Sequence, residues 1–314
     1  MYTRTGRTRT AFFRVFSILL CALSLFIAAP GCVSAAERPA GYIKTIRYSN
    51  LNDKAARCSV KNALKKAGVP NSAVNSVLAN ARDYNKTIRS AGLVKKGFKT
   101  TKNLAPSYPV GKIDALWAKK YPAFIGNNCR ITAFTLMRHN ICQKKIRTKD
   151  TYNTLFLDRD ALGNHPNTTL KGSAKKAFLS FYRAIPAKDS TSARVQAKQV
   201  QKVLKSRGVS FRSGKKISLI SVWMHANYGK DENYLFVGHT GVLMPYKNKL
   251  LFLEKLSFEE PYQAMIFSNR TALNDYLMRK YDVSTDPNSA PPFITENARL
   301  ISGYRRNPAQ TSAG

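Results

Sequence analysis

The chain is poor in acid: its 314 residues hold 17 aspartates and glutamates against 52 lysines and arginines, a formal net charge of +35. The cations are spread over nearly every segment instead of forming one block. A surplus of that kind points to contact with anionic polymers or an anionic membrane surface. Histidine is scarce, with four in the chain. Neither HExxH nor CxxC spacing occurs, so no metal site and no cofactor is expected. Zinc-finger spacing and RNP-like runs are also missing, which argues against nucleic acid as a partner. Asp158-Arg159-Asp160 before Gly163-Asn164 lacks the glycine and terminal glutamate spacing of a calcium loop, and reads as a polar turn. No repeat, low-complexity tract or clear linker divides the chain.

Long apolar runs are absent as well. Val15 to Ala28 is too short for a comfortable membrane span. Arg4, Arg7, Arg9 and Arg14 surround its start, and Val33-Ser34-Ala35-Ala36 supplies small residues for cleavage. Residues 1–36 therefore read as an export signal, and 37–314 as one exported domain, periplasmic or secreted. Ala29-Pro30-Gly31 is a poor lipidation context for Cys32, so cleavage is expected over lipid anchoring. Membrane contact is confined to that segment. Three cysteines follow it: Cys58, Cys129 and Cys142. An odd number in an oxidising compartment leaves at least one free thiol. If one pair forms, Cys58–Cys142 leaves Cys129 free.

What is present is patterned. Tyr42 to Asn50 alternates as a short strand, and Asn52 or Asp53 caps a helix ended by Gly68 and Pro70. A second helix spans about Asn71 to Arg89. Lys95 to Val110 reads as a basic loop, Ile113 to Trp117 as a short helix, and Ser173–Ala184 and Ser192–Ser206 as longer ones. From Val209 the period becomes alternating, with strands at Lys216–His225, Tyr234–Met244, Lys249–Ser257 and Tyr262–Phe267. Their short connections imply an antiparallel meander. Thr271 then caps a helix, and the tail from Pro287 is loop-rich. Helices followed by a sheet make an α+β fold.

Two stretches carry chemistry. In Gly126-Asn127-Asn128-Cys129-Arg130, either asparagine can cap a helix whose apolar residues Ile131, Phe134, Met137 and Ile141 recur at helical spacing. Cys129 then falls in the first turn, where free backbone N–H groups and the helix dipole favour thiolate. The second stretch is Val237-Gly238-His239-Thr240-Gly241, followed by Leu253-Glu254-Lys255. A turn at Pro245–Asn248 that sets Leu243 opposite Leu250 also sets His239 opposite Glu254, on one face of the hairpin. Thiol, imidazole and carboxylate in that order form a nucleophile, a base and a residue that orients the base. Asn127, Asn128 or the Cys129 amide could supply an oxyanion hole, with His225 as a supporting residue. A zinc site from Cys129, His225, His239 and Glu254 has no spacing to recommend it.

The blocks around Asn127–Phe134, Phe236–Leu243 and Phe252–Phe258 resemble the signatures of a family of exported bacterial proteins known only as a domain of unknown function. Pro261–Ala264, Leu273–Met278 and Phe293–Asn297 resemble it too, so the likeness runs from about Tyr48 to Ile301. The order of cysteine, histidine and polar residue is distantly similar to NlpC-type cell-wall peptidases and amidases of papain-like fold. That resemblance implies a Cys-bearing helix packed on a C-terminal antiparallel sheet. It also implies a thiol hydrolase cutting an amide bond, with peptidoglycan or another anionic envelope polymer as partner. The blocks around Cys129 and His239 do not spell that class's usual motifs, and Glu254 takes the third place. The competing expectation is a non-catalytic basic envelope protein that binds anionic polymers.

Overall fold

The computed structural model describes residues 42–311; the export-signal segment and Cys32 lie outside them. The described chain is α+β, with helices set around a large antiparallel sheet. After strand β1 (Ile46–Ser49), Asp53 caps helix α1 (Lys54–Lys66), its Oδ1 accepting from the Ala56 amide at 3.0 Å. Helix α2 (Asn71–Thr87) buries Val74, Val77, Leu78 and Ala81, the face its periodicity predicts. The basic loop is interrupted by β2 (Lys99–Thr101), an edge strand on β1. Helices α3 (Val110–Lys120) and α4 (Cys129–Met137) follow. The α4 helix stops short of Ile141, which opens β3 (Ile141–Gln143). It is also not amphipathic: all of its residues but Arg130 are buried. Asp158, expected in a polar turn, lies in helix α5 (Phe156–Asn164). Then come α6 (Gly172–Tyr182), β4 (Ile185–Pro186), α7 (Ala193–Ser206) and β5 (Val209–Phe211).

The meander β6 (Ser218–Asn227), β7 (Asn233–Tyr246), β8 (Lys249–Lys255) and β9 (Tyr262–Phe267) is antiparallel throughout. Helix α8 (Arg270–Tyr281) is capped by Asn269 and not by Thr271, since Asn269 Oδ1 accepts from the Ala272 amide at 2.9 Å. The tail is not all loop. It adds β10 (Phe293–Glu296) and β11 (Arg299–Leu300) to the far edge before a short α9 (Pro308–Thr311), because Phe293 and Ile294 have opposite faces of the sheet to fill. The strand order is β11-β10-β6-β7-β8-β9-β1-β2, with β4 pairing separately to β7. Apolar side chains of α1, α2, α4 and α6 fill one face of the sheet, and Leu273 and Leu277 of α8 fill the other. Among the described residues no helix is long and apolar enough to cross a membrane.

Three features of β7 prepare the site. The β7–β8 ladder continues through Pro245↔Leu250 to Tyr246↔Lys249, so the register is two residues from the expected one and Gly241, not His239, opposes Glu254. Pro245 is tolerated in the strand because pairing to β6 has already ended at Leu243, leaving that flank free. Next, a bulge at Gly238 breaks the β6–β7 ladder between Val222↔His239 and Trp223↔Val237. Leu235 and Val237 before it face the same core as Val242 and Met244 after it, so the bulge turns His239 onto the opposite face with Leu243 and Phe252. Glu254, two residues from Phe252, shares that face. Finally, β4 pairs with β7 only at Tyr234 and Leu235 while β8 begins at Gly241, so Phe236 to Thr240 have no strand partner on that flank.

Candidate active site

The start of α4 occupies this gap. Arg130 Nη1 donates to the Val237 carbonyl at 2.9 Å, tying the helix to the bulge that presents His239. Gly126 turns the chain into the helix at φ +104, where a Cβ would stand 3.1 Å from the Phe258 carbonyl oxygen; only glycine fits without strain. Asn128 is the cap. Its Oδ1 accepts from the Ile131 amide at 2.9 Å, and its Nδ2 donates to Asp158 Oδ1 at 2.8 Å. The side chain thus both caps the helix and ties it to Asp158. Asp158, fully buried, also accepts from Arg130 Nε at 3.1 Å and Nη2 at 2.6 Å. Cap, cation and nucleophile position are thus set by one carboxylate.

Cys129 is the first residue of α4, and its thiol lies beside the His239 ring. His239 Nε2 meets Glu254 Oε2 at 2.5 Å, which leaves Nδ1 for the thiol. Gly241 stands directly opposite Glu254, which makes His239 its diagonal neighbour, within reach of the carboxylate. The other carboxylate oxygen accepts from the Tyr276 hydroxyl at 2.8 Å. The Tyr281 ring, half-buried at the end of α8, stacks on the imidazole with centroids 5.0 Å apart. The three side chains are closed off: Cys129 is 6% exposed, and His239 and Glu254 are 1% exposed each.

Burial by itself would push the thiol up, yet the His239 imidazole beside it and then the Arg130 guanidinium hold Cys129 below its ordinary value. Burial also disfavours the imidazolium, but the thiolate and Glu254 raise His239 to about 9. Both shifts describe one state, a thiolate beside an imidazolium. Burial raises Tyr276 and Tyr281 well above the usual phenol range, so both keep their protons.

The remaining expected residues divide. The Asn127 side chain lies against the Tyr262 hydroxyl, and its Oδ1 is buried with no hydrogen-bond partner. His225 is not part of the cluster. It pairs across from Leu235 near the end of β6, with Nε2 on Asn233 Oδ1 at 2.7 Å and Nδ1 accepting from the Ala290 amide at 2.8 Å. Four residues of strand separate Leu235 from His239, about 13 Å, which also parts His225 from any shared metal set. His139, which a helix running on to Ile141 would include, follows the end of α4 at Met137. Cys58 and Cys142 sit on separate elements, α1 and β3, and all three described cysteines are free thiols, so the conditional Cys58–Cys142 pair is not formed.

Sequence reasoning missed Asp158, Tyr276 and Lys255. A signal for the first was there: an acid set among Leu155, Leu157, Ala161 and Leu162 at helical spacing needs a cation. Lys255, 1% exposed, donates from Nζ to the carbonyls of Ser257 at 2.7 Å, Phe258 at 3.1 Å and Glu260, and lies 4.2 Å from the Tyr84 ring centroid. It holds the loop that walls the Gly126 turn. Burial pushes its ammonium down to about 7. Glu254 therefore pairs with His239 and leaves Lys255 to the loop.

The family model of a domain of unknown function, DUF4300, matches residues 47–301. The chain belongs to that family. No curated protein and no solved structure matches it.

Proposed function

We propose that this member of the DUF4300 family is a thiol hydrolase of papain-like arrangement that cleaves an amide bond. One observation carries the reading: the first residue of a buried helix is a cysteine whose thiol adjoins an imidazole that is itself bonded to a buried carboxylate at 2.5 Å. The Cys129 thiolate attacks the carbonyl carbon and forms the C–S bond, placing charge on the carbonyl oxygen. The Cys129 backbone amide, a first-turn donor with no acceptor within the helix, and Asn127 stabilise that charge. His239 Nδ1 delivers its proton to the departing amine as the C–N bond breaks. Water then gives a proton to Nδ1 and its oxygen to the thioester, releasing acid and thiolate. Glu254 accepts from Nε2–H and fixes the ring.

The export-type sequence at residues 1–36 and the charge of +35 support a periplasmic or secreted location and an anionic envelope polymer, with a peptidoglycan peptide as the substrate. The test is incubation with muropeptides followed by mass spectrometry. Hydrolysed products are expected with the parent protein and none with Cys129→Ala. The reading fails if both proteins leave every muropeptide and acyl peptide intact. The closed state of the cluster favours one rival, a basic envelope protein that keeps the fold and binds polymer without cleaving it.

A further inference from the structure

A second feature stands apart from the thiol site. Between the end of α2 and the edge strand β2, a cleft of about 380 Å³ is lined by Tyr48, Gly92 and the lysines Lys95, Lys96 and Lys99 among others, with no acidic side chain in its wall. The loop that carries two of these lysines is pinned on both sides. Upstream, the Val94 amide donates to Asn50 Oδ1 at 2.9 Å, and Asn50 is itself fully buried. Downstream, the Gly97 amide donates to Asp53 Oδ2 at 2.7 Å. Lys95 and Lys96 lie between the two pins. Lys99 comes from the other side, directly opposite Tyr48 on the β1–β2 ladder. Among the described residues these three ammoniums take part in no ion pair. Lys95, Lys96 and Lys99 line one cleft whose wall has no acidic side chain, so a multiply charged anion seated there meets three cations, two of them on a loop already held in place.

We propose that this cleft is a binding site for a multiply charged anionic group, phosphate or carboxylate, distinct from Cys129 and independent of the hydrolase reading. Asn50 and Asp53 position the loop, Lys95, Lys96 and Lys99 contact the anion, and the Tyr48 hydroxyl stands in the same wall. Lysines on an open helix face have no such walls around them. Lys198, Lys202 and Lys205 of α7 are such a set, exposed on one helix without a cleft.

Titration of the full chain with inorganic tripolyphosphate, followed by calorimetry at fixed salt, tests this. Saturable one-site binding is expected. Lys95→Gln/Lys96→Gln/Lys99→Gln should weaken it at least tenfold, whereas Lys198→Gln/Lys202→Gln/Lys205→Gln, which removes the same charge, should change it less than twofold. Equal weakening by the two triples, or no saturable binding, overturns the proposal. Circular dichroism of both triples guards against misfolding. Competition by citrate assigns the site to carboxylates as well; failure to compete restricts it to phosphate. Muropeptide cleavage is unaffected by the cleft triple in either case, so the two readings fail separately.

Discussion

Removing the Asp158 carboxylate should cost more than any other single truncation near the site. Asp158 is fully buried and takes three N–H donors, from Asn128 Nδ2 at 2.8 Å and from Arg130 Nε and Nη2 at 3.1 and 2.6 Å. The Arg130 side chain is only 11% exposed, so Asp158→Ala strands a guanidinium with little water to solvate it. Breaking a buried pair from one side costs about 3–5 kcal/mol. Asp158→Asn keeps an acceptor for one donor and should cost about half of that. Replacing both partners by apolar residues, Arg130→Met with Asp158→Leu, should recover most of the loss, because the pair's own desolvation penalty goes with it. Urea unfolding of the four proteins measures this. A loss below about 1 kcal/mol for Asp158→Ala, or a double variant as unstable as the sum of its parts, would refute the claim that one carboxylate organises the α4 start.

Other outcomes follow from the same geometry. Gly241→Ala places a methyl 2.5 Å from two atoms of the Phe252 ring and 2.7 Å from the Leu253 carbonyl oxygen, and should destabilise by about 1–3 kcal/mol in thermal or urea melts. Lys255→Met removes the donor to three carbonyls and should loosen the 257–260 loop, read as faster amide exchange there with the far sheet edge unchanged. His239 has a folded value raised to about 9 from an ordinary 6.5. The stability from its imidazolium is therefore complete below pH ~6.5 and is lost as pH rises through ~9. The Cys129 thiol, held below its ordinary value, gives the opposite dependence. In the parent the two therefore offset each other up to roughly pH 8.5 and unfolding free energy changes little there, whereas Cys129→Ser removes the offsetting thiolate and should give a different slope. Identical slopes would contradict the pairing.

How much of this was legible depends on range. The helices α1 and α2 follow from their apolar spacing and from Asp53 and Gly68 at their ends, and the β6–β9 meander from alternation and short turns. Cys129 at a helix start was readable because Asn128 is a strong cap. The face shared by His239 and Glu254 was reached through a register two residues off. Parity survives such a shift, and the Gly238 bulge acts upstream of His239. What escaped depends on neighbours distant in sequence. Ile141 continues a helical pattern, but pairing with Phe211 on β5 claims it for a strand. The tail strands Phe293–Glu296 and Arg299–Leu300 exist because β6 has an open edge. Asp158 looked like turn chemistry until Arg130, 28 residues earlier, closed on it. His225 went the other way, captured by Asn233 and the Ala290 amide.

The central claim is a thiolate–imidazolium pair, and the direct measurement is the ultraviolet titration of the Cys129 thiolate, taken as the difference between the parent and Cys129→Ser. This needs no reagent to enter the closed site. A midpoint below the ordinary cysteine value of roughly 8.5 is expected, moving up in His239→Ala, where only Arg130 still opposes burial. A parent midpoint at or above roughly 8.5, unmoved by His239→Ala, would contradict the account.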